Sequence, residues 1–161
     1  MKRYCFAASL ALAVLAVLSL AGPVAAGEQV PFKGNLEGEL VTSTPLTPPF
    51  VFNKSAITGN ATHLGQYELV LAVIRNTTDR TSIGSFQFVA ANGDTLTGVL
   101  TGTSTSTPTP GVSLVMETAI ITGGTGRFAG ATGGFQIERL FDRATLLTIG
   151  AFEGTISSPG N

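Results

Sequence analysis

The chain has 161 residues, one domain's worth, with nine basic residues against ten acidic ones, one cysteine and one histidine. Its lysines and arginines are scattered along the sequence. That excludes a nucleic-acid partner, which needs clustered positive charge.

Met1-Lys2-Arg3 is a short basic start, an apolar run follows from Ala7 to Leu20, and Gly22-Pro23 breaks it before Val24-Ala25-Ala26. This three-part pattern predicts a secretory signal peptide over residues 1–26, hence a secreted or periplasmic protein. The run is short for a transmembrane anchor, which takes roughly 20 apolar residues. Residues 27–161 then form a single domain. Cys5 leaves with the signal, so the domain has no disulfide and no thiolate. A chain of this length can bury an adequate core without such staples.

All 22 threonines and 19 of the 20 glycines lie beyond residue 26. Threonine suits a pleated strand better than a helix, and the glycines and prolines cut the chain into short pieces. From Pro31, Phe32, Leu36 and Leu40 alternate with Lys33, Asn35, Glu37 and Glu39, the pattern of a half-buried strand. Thr44 to Pro49 is a stiff loop. A second strand runs from Phe50 to Thr58, and Gly59 to Gly65 turns the chain. Tyr67 to Arg75 is the most apolar strand, Asn76 to Arg80 a turn, and Ser82 to Ala91 a strand with Phe86 and Phe88 on one face. Asn92-Gly93 then predicts a tight hairpin, since both residues tolerate positive φ. The next strand carries Leu96, Gly98, Leu100 and Gly102 inward. Ser104 to Pro110 is a low-complexity loop, Val112 to Thr122 a strand, and Gly123 to Gly134 a glycine-rich segment. Strands over Phe135 to Phe141 and Ala144 to Ile156 complete the chain before a polar tail.

Eight strands with short links pair antiparallel with their neighbours. Faces such as Leu96-Gly98-Leu100-Gly102 and Gly150-Phe152-Gly154-Ile156 alternate small with large residues, as the interior of a small barrel does. The predicted fold is therefore all-β, a closed antiparallel barrel of about eight strands, with a two-sheet β-sandwich as the competing architecture. An outer-membrane barrel would need aromatic girdles. The chain past residue 26 has no tryptophan and only Tyr67 as tyrosine, so it is expected not to be membrane-embedded.

Gly124-Thr125-Gly126-Arg127-Phe128-Ala129 matches a dinucleotide-binding fingerprint, which requires a helix immediately afterwards. Gly130 to Gly134 forbids one. No nucleotide and no other cofactor is expected, and the glycines are assigned to backbone geometry. A lone histidine without cysteine likewise gives no metal site.

Ile121 to Phe128 resembles the strand-turn-strand segment of the dirigent and allene oxide cyclase barrels, within the calycin-like group. The chain resembles more closely a group of secreted bacterial proteins, through Gly59-Asn60-Ala61-Thr62-His63-Leu64-Gly65, Ala91-Asn92-Gly93-Asp94 and the glycine-rich segment. The first resemblance implies an eight-stranded barrel that binds a small apolar molecule, as a homo-oligomer, and steers ring closure or coupling of a lipid or phenolic. The second implies no activity. No catalytic acid of either family falls on a matching position here.

Candidate ligand-binding residues are His63, Tyr67, Glu117, Arg127, Glu138 and Arg139. His63 is the chain's one histidine, a residue type suited to acid–base or ligand roles. Glu117, Glu138 and Arg139 interrupt apolar strands, and any that points into a barrel is a buried charge requiring a partner. Arg127 lies beside the glycines, as an anion ligand or a turn cap. Two functional readings follow: a non-enzymatic exported barrel holding a small hydrophobic ligand, or a cyclase-like barrel. They separate on whether the lumen holds only apolar side chains or two or more converging polar ones.

Overall fold

A computed structural model describes residues 27–157. The proposed signal peptide and the polar tail from 158 lie outside them. The described chain is all-β: eight strands in one closed antiparallel barrel with neighbours in sequence order throughout. They are β1 (Gln29–Pro45), β2 (Phe50–Ala61), β3 (Gly65–Asn76), β4 (Thr81–Ala90), β5 (Thr95–Ser106), β6 (Val112–Gly124), β7 (Gly133–Asp142) and β8 (Leu147–Ser157). β1 closes the barrel on β8, from Gln29 opposite Ser157 to Glu39 opposite Leu147. The sandwich alternative is thereby set aside. Among the described residues the only helical piece is one 3-10 turn, Gly126–Phe128.

β1 is longer than its alternation suggested, because it carries on past Leu40, where the register with β2 shifts, to Pro45. The register between β5 and β6 shifts likewise between Thr97 and Gly98. The Asn92-Gly93 hairpin forms as expected: Gly93 has φ +87° and donates to the Ala90 carbonyl, while the Asn92 side chain accepts from the Asp94 N–H. The glycine-rich segment is a turn followed by a strand. Gly126 takes φ +57°, and a Cβ there would overlap the Asp94 carboxylate. Gly133 passes close to the Thr155 carbonyl, whereas Gly130 stands in open space and is required only for its φ of +71°.

The up-and-down order puts alternate turns at opposite ends. One end carries the β2–β3 and β4–β5 turns and the β6–β7 loop, and it is plugged by the buried Leu64, Phe128, Ala131 and Ile156. Above the plug, Phe32, Tyr67, Phe86, Phe88, Phe135 and Phe152 fill the lumen in edge-on and tilted contacts, such as 5.0 Å between the rings of Phe32 and Phe152. Ring pairs of this kind add about 0.5–1.5 kcal/mol each beyond the area they bury. The other end carries the β1–β2, β3–β4, β5–β6 and β7–β8 turns and stays open.

Candidate functional site

The aromatic packing stops at the level of Glu117 on β6 and Arg139 on β7. Both side chains point into the lumen and are buried, at 3% and 8% exposure. The Arg139 Nε and Nη2 donate to the two carboxylate oxygens of Glu117 at 2.9 and 3.0 Å, a bidentate pair. Arg139 Nη1 reaches Thr148 Oγ1 at 3.3 Å, and that hydroxyl donates to the Leu140 carbonyl. Glycine makes the room. Gly102 lies opposite Glu117 and Gly150 opposite Arg139, and a Cβ at either would press on the charged residue, on Glu117 Cγ at 2.6 Å and on Arg139 Cβ at 2.7 Å. The alternation of large residues with glycine thus serves two ends: it fits the aromatics lower down and admits an ion pair higher up.

Above the pair lies a cavity of about 60 Å³, enough for a few waters or a small polar group. Its wall is mixed. Leu71 and Val73 give it apolar surface, and Ser55 and Ser113 give it hydroxyls. Arg75, Arg80 and Arg143 complete it. Arg75 comes from the end of β3, Arg80 from the β3–β4 turn and Arg143 from the β7–β8 turn, so the open-end turns bring together residues far apart in sequence. Four of the basic residues that are scattered in sequence, Arg75, Arg80, Arg139 and Arg143, thus line one cavity, a local clustering that the sequence reading did not expect, while Lys33, Lys54 and Arg127 do not line it. Burial first, then the nearby Arg143 and Arg80, hold the Arg75 guanidinium below its usual range. Asn53 Oδ1 and Arg75 Nε here, and Arg127 Nε at the plugged end, are buried without a hydrogen-bond partner among the described residues.

The acids of this rim are committed elsewhere. Asp79 accepts from the Thr81 hydroxyl at 2.7 Å and the Thr81 N–H at 2.9 Å, which hold its carboxyl below the ordinary range. Asp142 accepts from the Ala144 N–H. Cross-links stiffen the mouth: Arg80 Nη1 donates to Ser106 Oγ at 2.9 Å, and the Arg143 N–H to the Gly111 carbonyl at 3.1 Å.

The six residues proposed from sequence separate. Glu117 and Arg139 meet in the lumen. Glu138 is exposed on the outer face of β7, opposite Met116 and Ala151 in register. Tyr67 lies among the aromatics, its hydroxyl donating to the Asn35 carbonyl at 2.6 Å, and burial pushes its phenol well above the usual range. His63 sits exposed at the plugged end with φ +65°, its Nε2 3.1 Å from the Pro31 carbonyl. Arg127 is also there, 3.7 Å from Asp94 and over the Phe128 ring at 5.1 Å. These two therefore stand at the far end of the barrel from the cavity. Asp94, which also accepts from the Arg127 N–H, occupies the concave side of the glycine turn where a phosphate would have to sit.

Among the described residues no group of His, Cys, Asp and Glu could hold a metal ion, and no helix is long and apolar enough to cross a membrane. In comparison with known proteins, no family model, no curated sequence and no solved structure matches the chain.

Proposed function

We propose that the protein is an exported binding barrel that takes a small ligand in the open half of its lumen and performs no reaction on it. The observation that carries this reading is the division of the lumen, with one half plugged and filled by rings and the other a mouth with free volume and mixed walls. A wholly apolar ligand, as the sequence suggested, fits the filled half poorly. The mouth suits a small molecule with an apolar body and a polar end. The outer face carries Lys33, Glu37, Glu39, Lys54 and Glu153 beside exposed Ile83, Val99, Ile120 and Ile149, and the interior is apolar; the charges on that face support a water-facing protein. The exposed Leu140, Leu147 and Ile149 on β7 and β8 offer a face for self-association.

Steering of a cyclisation or coupling is a second reading, favoured by one observation: polar side chains do converge over an apolar floor. Against it, both oxygens of the one lumen carboxylate are already engaged by Arg139, and no histidine lines the cavity. Native mass spectrometry of the protein from its own host tests the binding reading. The expected result is a bound mass beyond the polypeptide that disappears when Ser113→Phe fills the cavity. A bare polypeptide mass from the host would overturn it. The same bound species recovered chemically altered after incubation would favour the second reading. The same spectrum counts subunits.

A further inference from the structure

Three arginines meet at the mouth, and none of them forms a salt bridge among the described residues. Arg75 is half-buried and Arg80 and Arg143 are exposed beside it, so their repulsion falls on the least solvated of the three. No carboxylate among the described residues pairs with them directly. Glu117 is taken bidentately by Arg139, and Asp79 and Asp142 bond to turn backbone. At the same place Arg75 Nε is a buried donor with nothing to donate to, and Asn53 Oδ1 a buried acceptor with nothing to accept from. Buried polar groups in native proteins are as a rule satisfied, and an exception marks a strain or a missing partner. One kind of occupant answers all of these features at once. It carries negative charge, presents oxygens to a guanidinium fork, and has a polar group small enough for the cavity.

We propose that the open mouth is an anion site, in which Arg75, Arg80 and Arg143 hold the carboxylate or phosphate group of a small organic ligand. The proposal rests on the lumen-binding reading above and names the chemistry of that ligand. Arginine is the suited cation, since its planar fork matches the oxygens of either group and its charge persists when partly desolvated. A protonated phosphate oxygen would also donate to Asn53 Oδ1. A carboxylate leaves that bond to a turned-over amide or a ligand hydroxyl. Leu40, Leu71, Val73 and Phe141 line the same space and accept a short hydrocarbon part. Arg139 is excluded from the role, because its guanidinium is already satisfied by Glu117 and Thr148.

The test is the melting temperature of the mature protein at constant ionic strength, titrated with sodium hexanoate, inorganic phosphate and the neutral hexanol. A ligand held only by the folded state raises melting in a saturable way. The expected result is such a rise with hexanoate, with phosphate or with both; hexanoate alone assigns a carboxylate ligand, phosphate alone a phosphoryl one. Arg75→Gln and, separately, Arg143→Gln on the rim should each weaken the effect by roughly tenfold or more, the loss of one charge-assisted partner. Arg127→Gln, at the plugged end, should leave it unchanged. Without anion, Arg75→Gln should melt no lower than the wild type, since it relieves repulsion, and a lower melt or a failure to fold would count against the proposal; Arg143→Gln gives an independent reading of the anion effect. A rise with hexanol but with neither anion would overturn the anion site and leave the lumen reading standing. No rise with any of the three would overturn both. An anion effect equal in the wild type and in Arg75→Gln and Arg143→Gln would place binding elsewhere and overturn the proposal.

Discussion

Replacing Glu117 by leucine removes the one acid that the lumen offers its arginines. The side chain is 3% exposed and accepts two hydrogen bonds from Arg139, at 2.9 and 3.0 Å. Leucine keeps most of the volume but leaves the buried guanidinium with only Thr148 Oγ1 at 3.3 Å, in a cavity shared with three more arginines. Stranding one member of a buried pair costs about 3–5 kcal/mol. For a domain of this size that is roughly 10–20 °C in Tm. Arg139→Met strands the carboxylate instead, but Glu117 still shares its cavity with Arg75, so the expected cost is smaller, about 1–3 kcal/mol. Glu117→Leu with Arg139→Met removes both charges and should return to within about 2 kcal/mol of the wild type. Urea unfolding of the four proteins at neutral pH, followed by circular dichroism, completes the cycle and yields the coupling. If Glu117→Leu stays within about 1 kcal/mol of the wild type, or the double variant equals the sum of the singles, the pair is not the buried, coupled unit described here.

Tyr67 links stability to alkaline pH. Its folded pKa lies above the unfolded one, so its contribution is complete below about pH 10, the unfolded value, and is lost as pH rises beyond it. Phenolate absorbance, read on the one tyrosine among the described residues, should therefore appear together with unfolding. Tyr67→Phe should remove the alkaline loss while lowering neutral-pH stability by about 1 kcal/mol through the bond to the Asn35 carbonyl. Gly126→Ala places a Cβ at φ +57° against the Asp94 carboxylate and should cost roughly 1–3 kcal/mol in a thermal melt, with added NAD or ATP changing neither protein. Gly93→Val meets open space, so backbone strain alone should set its cost, about 1–2 kcal/mol. N-terminal sequencing of the protein recovered outside the cytoplasm should begin near Gly27; Met1 retained in a membrane fraction would contradict export.

Much of the barrel was legible because one face of each strand is buried. Phe32-Leu36-Leu40 and Leu96-Gly98-Leu100-Gly102 announce their inward side by period two, and Asn92-Gly93 announces its turn chemically. Length at strand ends was not legible, since the part of β1 beyond Leu40 overhangs the barrel with both faces exposed and no pattern marks it. Glu117 and Arg139 stood out as charges in apolar strands, but their partnership needed the β6–β7 register. Glu138, one position from Arg139, shows how a single step along a strand moves a side chain from lumen to solvent. Arg75, Arg80 and Arg143 were missed because each looks ordinary where it stands. The signal that could have found them is topological: in an up-and-down barrel the turns after β1, β3, β5 and β7 share one rim, so residues at the ends of β3 and β7 converge. The same rule would have set His63 and Arg127 together at the opposite rim.

The measurement that bears most directly on a ligand-binding mouth is a backbone amide NMR titration of residues 27–161 with sodium hexanoate. The expected shifts cluster at Ser55, Val73, Arg75, Ser104, Ser113 and Arg139, all lining the open cavity, while Leu64, Arg127 and Ala131 at the plugged end stay still. Shifts centred on the plugged end, or none at saturating probe, would contradict the account.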